Sequence, residues 1–171
     1  MRIEHDALGS RELPDDSLFG IHTLRASENF PLTPYTLPEP LILALVQVKL
    51  ACARTNAALG YLDSRRASAI ESACAELLSG QHRQSIVVDP LQGGAGTSAN
   101  MNVNEVIANR ACQLMGGKAG EQPLAEVAAE ALQVSIEEIH SLLSPKKMYK
   151  LGFTTDDLPH ALRHPNPHDG E

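Results

Sequence analysis

Residues 89–111 read DPLQGGAGTSANMNVNEVIANRA. Within thirteen of them stand three glycines (Gly93, Gly94, Gly96), two hydroxyls (Thr97, Ser98) and four side-chain amides (Gln92, Asn100, Asn102, Asn104). The amides run on into apolar positions at helical spacing: Met101, Val106, Ile107, Ala108 and Ala111. A glycine-rich turn feeding a helix start offers free backbone N–H groups and the positive end of the helix dipole. Neutral hydroxyl and amide donors at the same place suit a small carboxylate or phosphate. Two better-known anion loops do not fit. A Walker A loop needs Lys then Ser or Thr after its last glycine, and Gly96 is followed by Thr97 and Ser98. The segment 94–99 matches a loose G-x-G-x-x-A dinucleotide pattern. However, Pro90 interrupts the approach, and the glycines of residues 115–120 stand where a second strand would follow.

Moving outward, the chain reads as nearly all helix. Pro38 and Pro40 precede an apolar run at residues 41–59 that Gly60 ends, and Asp63 or Ser64 is placed to cap a helix over residues 65–78 closed by Gly80. The helix after the glycine loop is expected over residues 100–115. Residues 1–38, with prolines at 14, 31, 34 and 38, show little periodicity and read as extended chain or loop with one short strand pair. Two further helices are expected over residues 124–132 and 136–143, the second opened by a Ser135-x-x-Glu138 capping box. The proline- and histidine-rich residues 159–171 are expected to be disordered.

Fourteen basic against twenty-one acidic side chains give a net charge of −7, which disfavours a nucleic-acid partner. The segment 124–143 has the outline of a helix-turn-helix, but residues 136–143 carry two glutamates and no Lys or Arg for phosphates. Cys52, Cys74 and Cys112 have no paired spacing, and Met1-Arg2 leads into acidic residues rather than an apolar leader. Free buried thiols in a reducing cytoplasm are therefore expected. The apolar run at residues 41–53, interrupted by Gln47 and Lys49, falls short of a membrane span, so no membrane partner is expected. His160, His164 and His168 have zinc-like i, i+4 spacing, yet Pro159, Pro165 and Pro167 prevent one helix from presenting all three; no metal and no cofactor are expected.

The glycine-loop sequence resembles the first signature of the aspartase/fumarase superfamily, nearest to aspartate ammonia-lyases, whose loop reads G-G-A-G-T-S-T-N-M-N. The opening is similar too: Arg2-Ile3-Glu4, then Phe19-Gly20-Ile21-His22-Thr23-Leu24-Arg25-Ala26 and Glu28-Asn29-Phe30. Gly116-Gly117-Lys118 continues the likeness to about residue 121. Residues 123–148, ending in Leu142-Leu143-Ser144-Pro145-Lys146-Lys147-Met148, resemble the small C-terminal domain of the same family.

The resemblance implies a mainly α fold in three parts. Residues 1–120 would be the lyase N-terminal helical domain and residues 121–158 a C-terminal-like helical piece. Residues 159–171 would be a tail, and the long central helix bundle would be absent. It implies an anti-elimination converting L-aspartate to fumarate and ammonia through an aci-carboxylate that preorganised donors stabilise. Thr97 and Ser98 would hold a substrate carboxylate, Asn100 would be a neighbouring donor, and Arg25 would pair bidentately with the dicarboxylate. His22 reads more readily as a residue fixing the N-terminal fold than as an active-site neighbour. Ala99 stands where the family has threonine, removing one hydroxyl. The family's serine-base loop, roughly G-S-S-x-M-P-x-K-x-N-P, has no counterpart in these 171 residues, so no catalytic base can be assigned. The chain is therefore expected to bind a small dicarboxylate without turnover, and the apolar coat of its first long helix to drive self-association or association with a full-length homologue. A remnant or regulatory subunit of such a lyase is the alternative role.

Overall fold

The computed structural model describes residues 1–94 and 96–121. The expected helices beyond residue 122, the capping box at Ser135, the three tail histidines and the helix-turn-helix outline lie outside the described residues.

Two antiparallel strands open the chain, β1 (Arg2–Asp6) and β2 (Gly9–Leu13), with Asp6 facing Gly9 across a two-residue turn. Asp6 accepts the Leu8 N–H at 2.9 Å, and Gly9 takes φ +110°, so the turn needs its glycine. This is the expected strand pair.

A helix follows that the sequence reading treats as loop: α1, Ile21–Asn29. Its N-terminus carries no local side-chain cap. Instead, the Glu105 carboxylate accepts the N–H groups of Gly20 (2.9 Å), His22 (3.0 Å) and Thr23 (3.1 Å), and Glu4 accepts that of Ile21 (2.8 Å). Four donors that a helix start leaves orphaned are thus met by two carboxylates distant in sequence, which local pattern cannot reveal. Gly20 permits the approach: a Cβ there would lie 2.8 Å from a Glu105 oxygen and 2.9 Å from a Glu4 oxygen.

Three longer helices form the body. The first, α2, spans Glu39–Leu59, starting two residues before the apolar run because Pro40 is tolerated in a first turn. Gly60 closes it at φ +82°, its N–H reaching the Asn56 and Ala57 carbonyls. At 21 residues, with an 18-residue window of mean hydropathy 1.3, α2 is longer and more apolar than the segment 41–53 suggested, and meets the length and composition of a membrane span. Here it packs on other helices through Ile42, Val46, Lys49, Ala53 and Asn56, spaced three or four residues apart. Lys49 is 7 % exposed on that face, and burial pushes its ammonium below the usual range. On the outer face Leu41, Val48 and, past the helix end, Tyr61 stay exposed.

The next helix, α3 (Ser64–Leu78), is capped by Asp63, which accepts from the N–H groups of Arg65 and Arg66 at 3.0 Å. Then comes α4, Thr97–Leu114. It contacts α1, α2 and α3, and its Val103, Val106, Ile107, Ala108 and Ala111 sit in the common core with Val46, Ile70, Cys74, Leu77 and Val88. Burial pushes the Cys74 thiol up to about 12. Arg110 on α4 grips Glu76 on α3 bidentately (2.6 and 2.9 Å), and His82 lies 3.0 Å from the same carboxylate. Among the described residues, helix dominates and only the hairpin is β, the mainly α class expected.

Candidate functional site: the glycine loop and the cavity before it

The glycine loop delivers the chain into α4 three residues earlier than expected. Gly94 and Gly96 have φ of +75° and +86°, and Gly96 stands at the N-cap, so the helix begins at Thr97 with no cap from its own N-cap side chain. Gln92 supplies one from behind: its Oε1 accepts the Ala99 N–H at 2.7 Å while its Nε2 donates to the Asp89 carbonyl at 2.8 Å. Gly93 lets the Phe30 ring lie against the loop, where a Cβ would meet it at 3.1 Å. Asp89 anchors the loop from its other end, accepting the N–H groups of Leu32, Thr33 and Leu91.

The hydroxyls and amides are not equivalent. The Thr97 hydroxyl donates to the Gly94 carbonyl. Among the described residues, the N–H and hydroxyl of Ser98 meet no partner. Ala99 is buried in the core, so the side chain at position 99 faces the core and the family's threonine difference falls there. Asn102 is wholly structural, its Oδ1 accepting from Val87 (2.9 Å) and its Nδ2 donating to the Ser85 carbonyl (2.9 Å). Two of the four amides, Gln92 and Asn102, are therefore committed to backbone and unavailable to a ligand.

Thr97 and Ser98 line a cavity of about 330 Å³ together with Arg25, His22, Asn29 and Phe30. Three of the four sequence-derived site residues thus share one wall-to-wall space, assembled from the hairpin turn, α1 and the start of α4. Asn100 is outside its lining. The Arg25 guanidinium is engaged within the wall: it grips Asp6 bidentately at 2.6 and 2.8 Å and donates to the Gly9 carbonyl at 3.1 Å. That fork holds the Asp6 carboxyl below the usual carboxylate range. Arg25 therefore ties the hairpin to α1 and brings its charge to the cavity already partnered. The cavity offers unpaired donors at a helix N-terminus facing apolar and aromatic walls. Such a surface binds and orients an anion, chiefly through the Ser98 N–H and hydroxyl. Among the described residues no group of three His, Cys, Asp or Glu stands close enough to hold a metal ion.

Sequence reasoning missed Glu4, Glu105 and Asp6, the carboxylates that place α1 and Arg25 beside the loop. Their charge offered no periodic signal; only pairing with distant main-chain groups gives them a role.

The chain was compared with known proteins. A family model described as Lyase matches residues 9–151. The chain belongs to this lyase family. An aspartate ammonia-lyase of Bacillus subtilis is 49 % identical over 120 residues, 70 % of this chain and 25 % of that protein. A class II fumarate hydratase of Halobacterium salinarum is 45 % identical over 121 residues, 71 % of this chain and 26 % of its own. Among solved structures, the Brucella melitensis fumarate lyase:delta crystallin in native form superposes with a TM-score of 0.71 at 44 % identity, covering 75 % of this chain and 30 % of that one. The lyase fold expected from the glycine loop is therefore shown. The chain spans about a quarter of the length of the two curated relatives it matches.

Proposed function

We propose that this lyase-family chain holds the carboxylate-binding part of an aspartate ammonia-lyase site, and binds L-aspartate or fumarate without eliminating ammonia by itself. The observation that carries the reading is Ser98 at the first turn of α4, its N–H and hydroxyl unpartnered among the described residues, on a cavity that Thr97 and Arg25 also line. Thr97 contributes once its hydroxyl turns from the Gly94 carbonyl, Asn100 donates from the adjoining turn, and Arg25 lends positive potential across the cavity. No residue here is given the role of base, because the 171 residues hold no match to the family's serine loop. The curated relatives resembling the chain include aspartate ammonia-lyases and a fumarate hydratase, which supports a C4 dicarboxylate as ligand.

The test is titration of the chain with fumarate and L-aspartate by calorimetry, beside a fumarate-formation assay at ultraviolet wavelengths. Saturable binding that Ser98→Ala weakens about ten-fold, with no fumarate formed, is the expected result. Turnover of L-aspartate by the purified chain would overturn the inactive reading, and binding indifferent to Ser98→Ala would overturn the site.

A second reading is a non-catalytic subunit that joins a full-length lyase through α2. Leu41, Val48 (55 % exposed) and Tyr61 favour it, since they leave apolar surface unpaired along that helix. Co-elution with a co-expressed full-length lyase, lost on Val48→Glu, is the result that would establish it.

A further inference from the structure

A second cavity, of about 350 Å³, lies between β1, the start of α1 and the middle of α4, and Asn104 and Glu105 form its helical wall. Asn104 is 1 % exposed, and neither its Oδ1 nor its Nδ2 has a hydrogen-bond partner. Its neighbours on α4 behave otherwise. Asn102 accepts from one main-chain N–H and donates to one main-chain carbonyl, spanning residues 85–87. Asn109 does the same, donating to the Leu18 carbonyl at 2.9 Å and accepting the Gly120 N–H at 2.7 Å. Twice, then, an α4 asparagine reads the backbone of a segment crossing the helix. Asn104 has the same buried amide and a cavity where a segment would cross.

We propose that this cavity is a docking site for a lysine-bearing polypeptide segment of a partner chain, one of whose peptide groups pairs with the Asn104 amide. A peptide group carries one donor and one acceptor, the complement of a primary amide. A buried amide left unpaired costs more than one in water, so occupation is favoured. The charge of the lining selects the side chain. Glu4, Asp6 and Glu105 border the cavity, and no Lys or Arg does. Glu4 is offset by Arg2 and Asp6 by Arg25, but the Glu105 oxygens accept only main-chain N–H groups, leaving its charge uncompensated. The source is polypeptide from another chain because the relatives carry about three times more polypeptide than this chain matches. The proposal does not depend on the carboxylate cavity.

The test uses the full chain labelled with ¹⁵N, following the side-chain amide pair of Asn104, assigned by its loss in Asn104→Asp. Acetyl-Gly-Lys-Gly-amide is expected to shift that pair saturably and about ten-fold more tightly than acetyl-Gly-Glu-Gly-amide, from the charge on Glu105. Asn104→Leu is expected to abolish binding of the lysine peptide. Should that variant not fold, the ranking of the two peptides on the unaltered chain decides alone. Equal response to both peptides overturns the proposal. So does saturation by acetamide at the same concentration, which would make this a small-molecule site. A shift with protein concentration and no peptide would assign the site to a second copy and overturn it as well.

Discussion

The Glu105 carboxylate accepts the N–H of Gly20 at 2.9 Å across 85 residues of sequence. With its further bonds to His22 and Thr23, this one side chain serves as the N-cap of α1 from the middle of α4. The carboxylate is well suited to the position, since it meets both the orphan donors and the positive helix end. The cavity depends on it, because α1 carries Arg25, His22 and Phe30 to face Thr97 and Ser98.

Removing the cap should therefore cost more than an ordinary N-cap loss. Glu105→Ala leaves three N–H groups without their acceptor, and a loss of about 2–4 kcal/mol is expected. The midpoint of urea unfolding followed by circular dichroism measures it. Glu105→Gln keeps one acceptor oxygen and should lose roughly half as much. Equal stability of Glu105→Ala and the unaltered chain would dismiss the capping role.

Gly20 should resist substitution for a steric reason. Its φ is ordinary, but an added methyl would stand within 2.9 Å of both capping carboxylates. Gly20→Ala should destabilise by about 1–3 kcal/mol. Combined with Glu105→Ala, the two losses should fall short of their sum, because they break the same contact. A double-mutant cycle with a coupling near zero would contradict this.

The Glu76 carboxyl stands at about 2, below its ordinary 4.5, chiefly through the Arg110 fork, against an opposing effect of burial, and with help from His82. A depressed folded value means stabilisation that is fully present above about pH 4.5 and is lost as pH falls from there towards 2. The shift corresponds to roughly 3 kcal/mol at most. Stability measured between pH 6 and 2 should fall less steeply in Glu76→Gln than in the unaltered chain. Parallel profiles would show that the α3–α4 pair does not drive the acid transition.

Asn104 offers a substitution expected to stabilise. Asn104→Leu removes two buried polar atoms that have no partner and places apolar atoms beside a cavity with room for them. A gain of about 1 kcal/mol in the isolated chain is expected. A loss exceeding about 1 kcal/mol would mean that the amide is satisfied in solution, as by ordered water.

Cys74 should be silent to thiol reagents in the native chain. It is fully buried, and its thiol lies at about 12, far from ionising at neutral pH. Labelling with a maleimide at pH 7.5 should reach it only at the rate of global unfolding. Fast native-state labelling located to Cys74 by mass spectrometry would refute the packing of α3 against α4.

Local chemistry determined much of this protein from its sequence. The prolines and Gly60 bound α2, Asp63 capped α3, the turn at Gly9 made the hairpin, and the glycine loop marked both the family and the hydroxyls of the cavity. Each rests on neighbours within a few residues, where propensity and turn geometry act. Tertiary structure alone decided the rest. The helix α1 exists because carboxylates 17 and more residues away meet its first donors, so no window around residues 21–29 could reveal it. The start of α4 moved to Thr97 because Gln92 reaches back to cap it. Similar amides along one helix became two anchors, Asn102 and Asn109, and one unpaired group, Asn104, since an amide takes its role from what crosses its face. Arg25 was legible as a partner for a carboxylate; that the carboxylate in this chain is Asp6 follows only from the hairpin folding against α1.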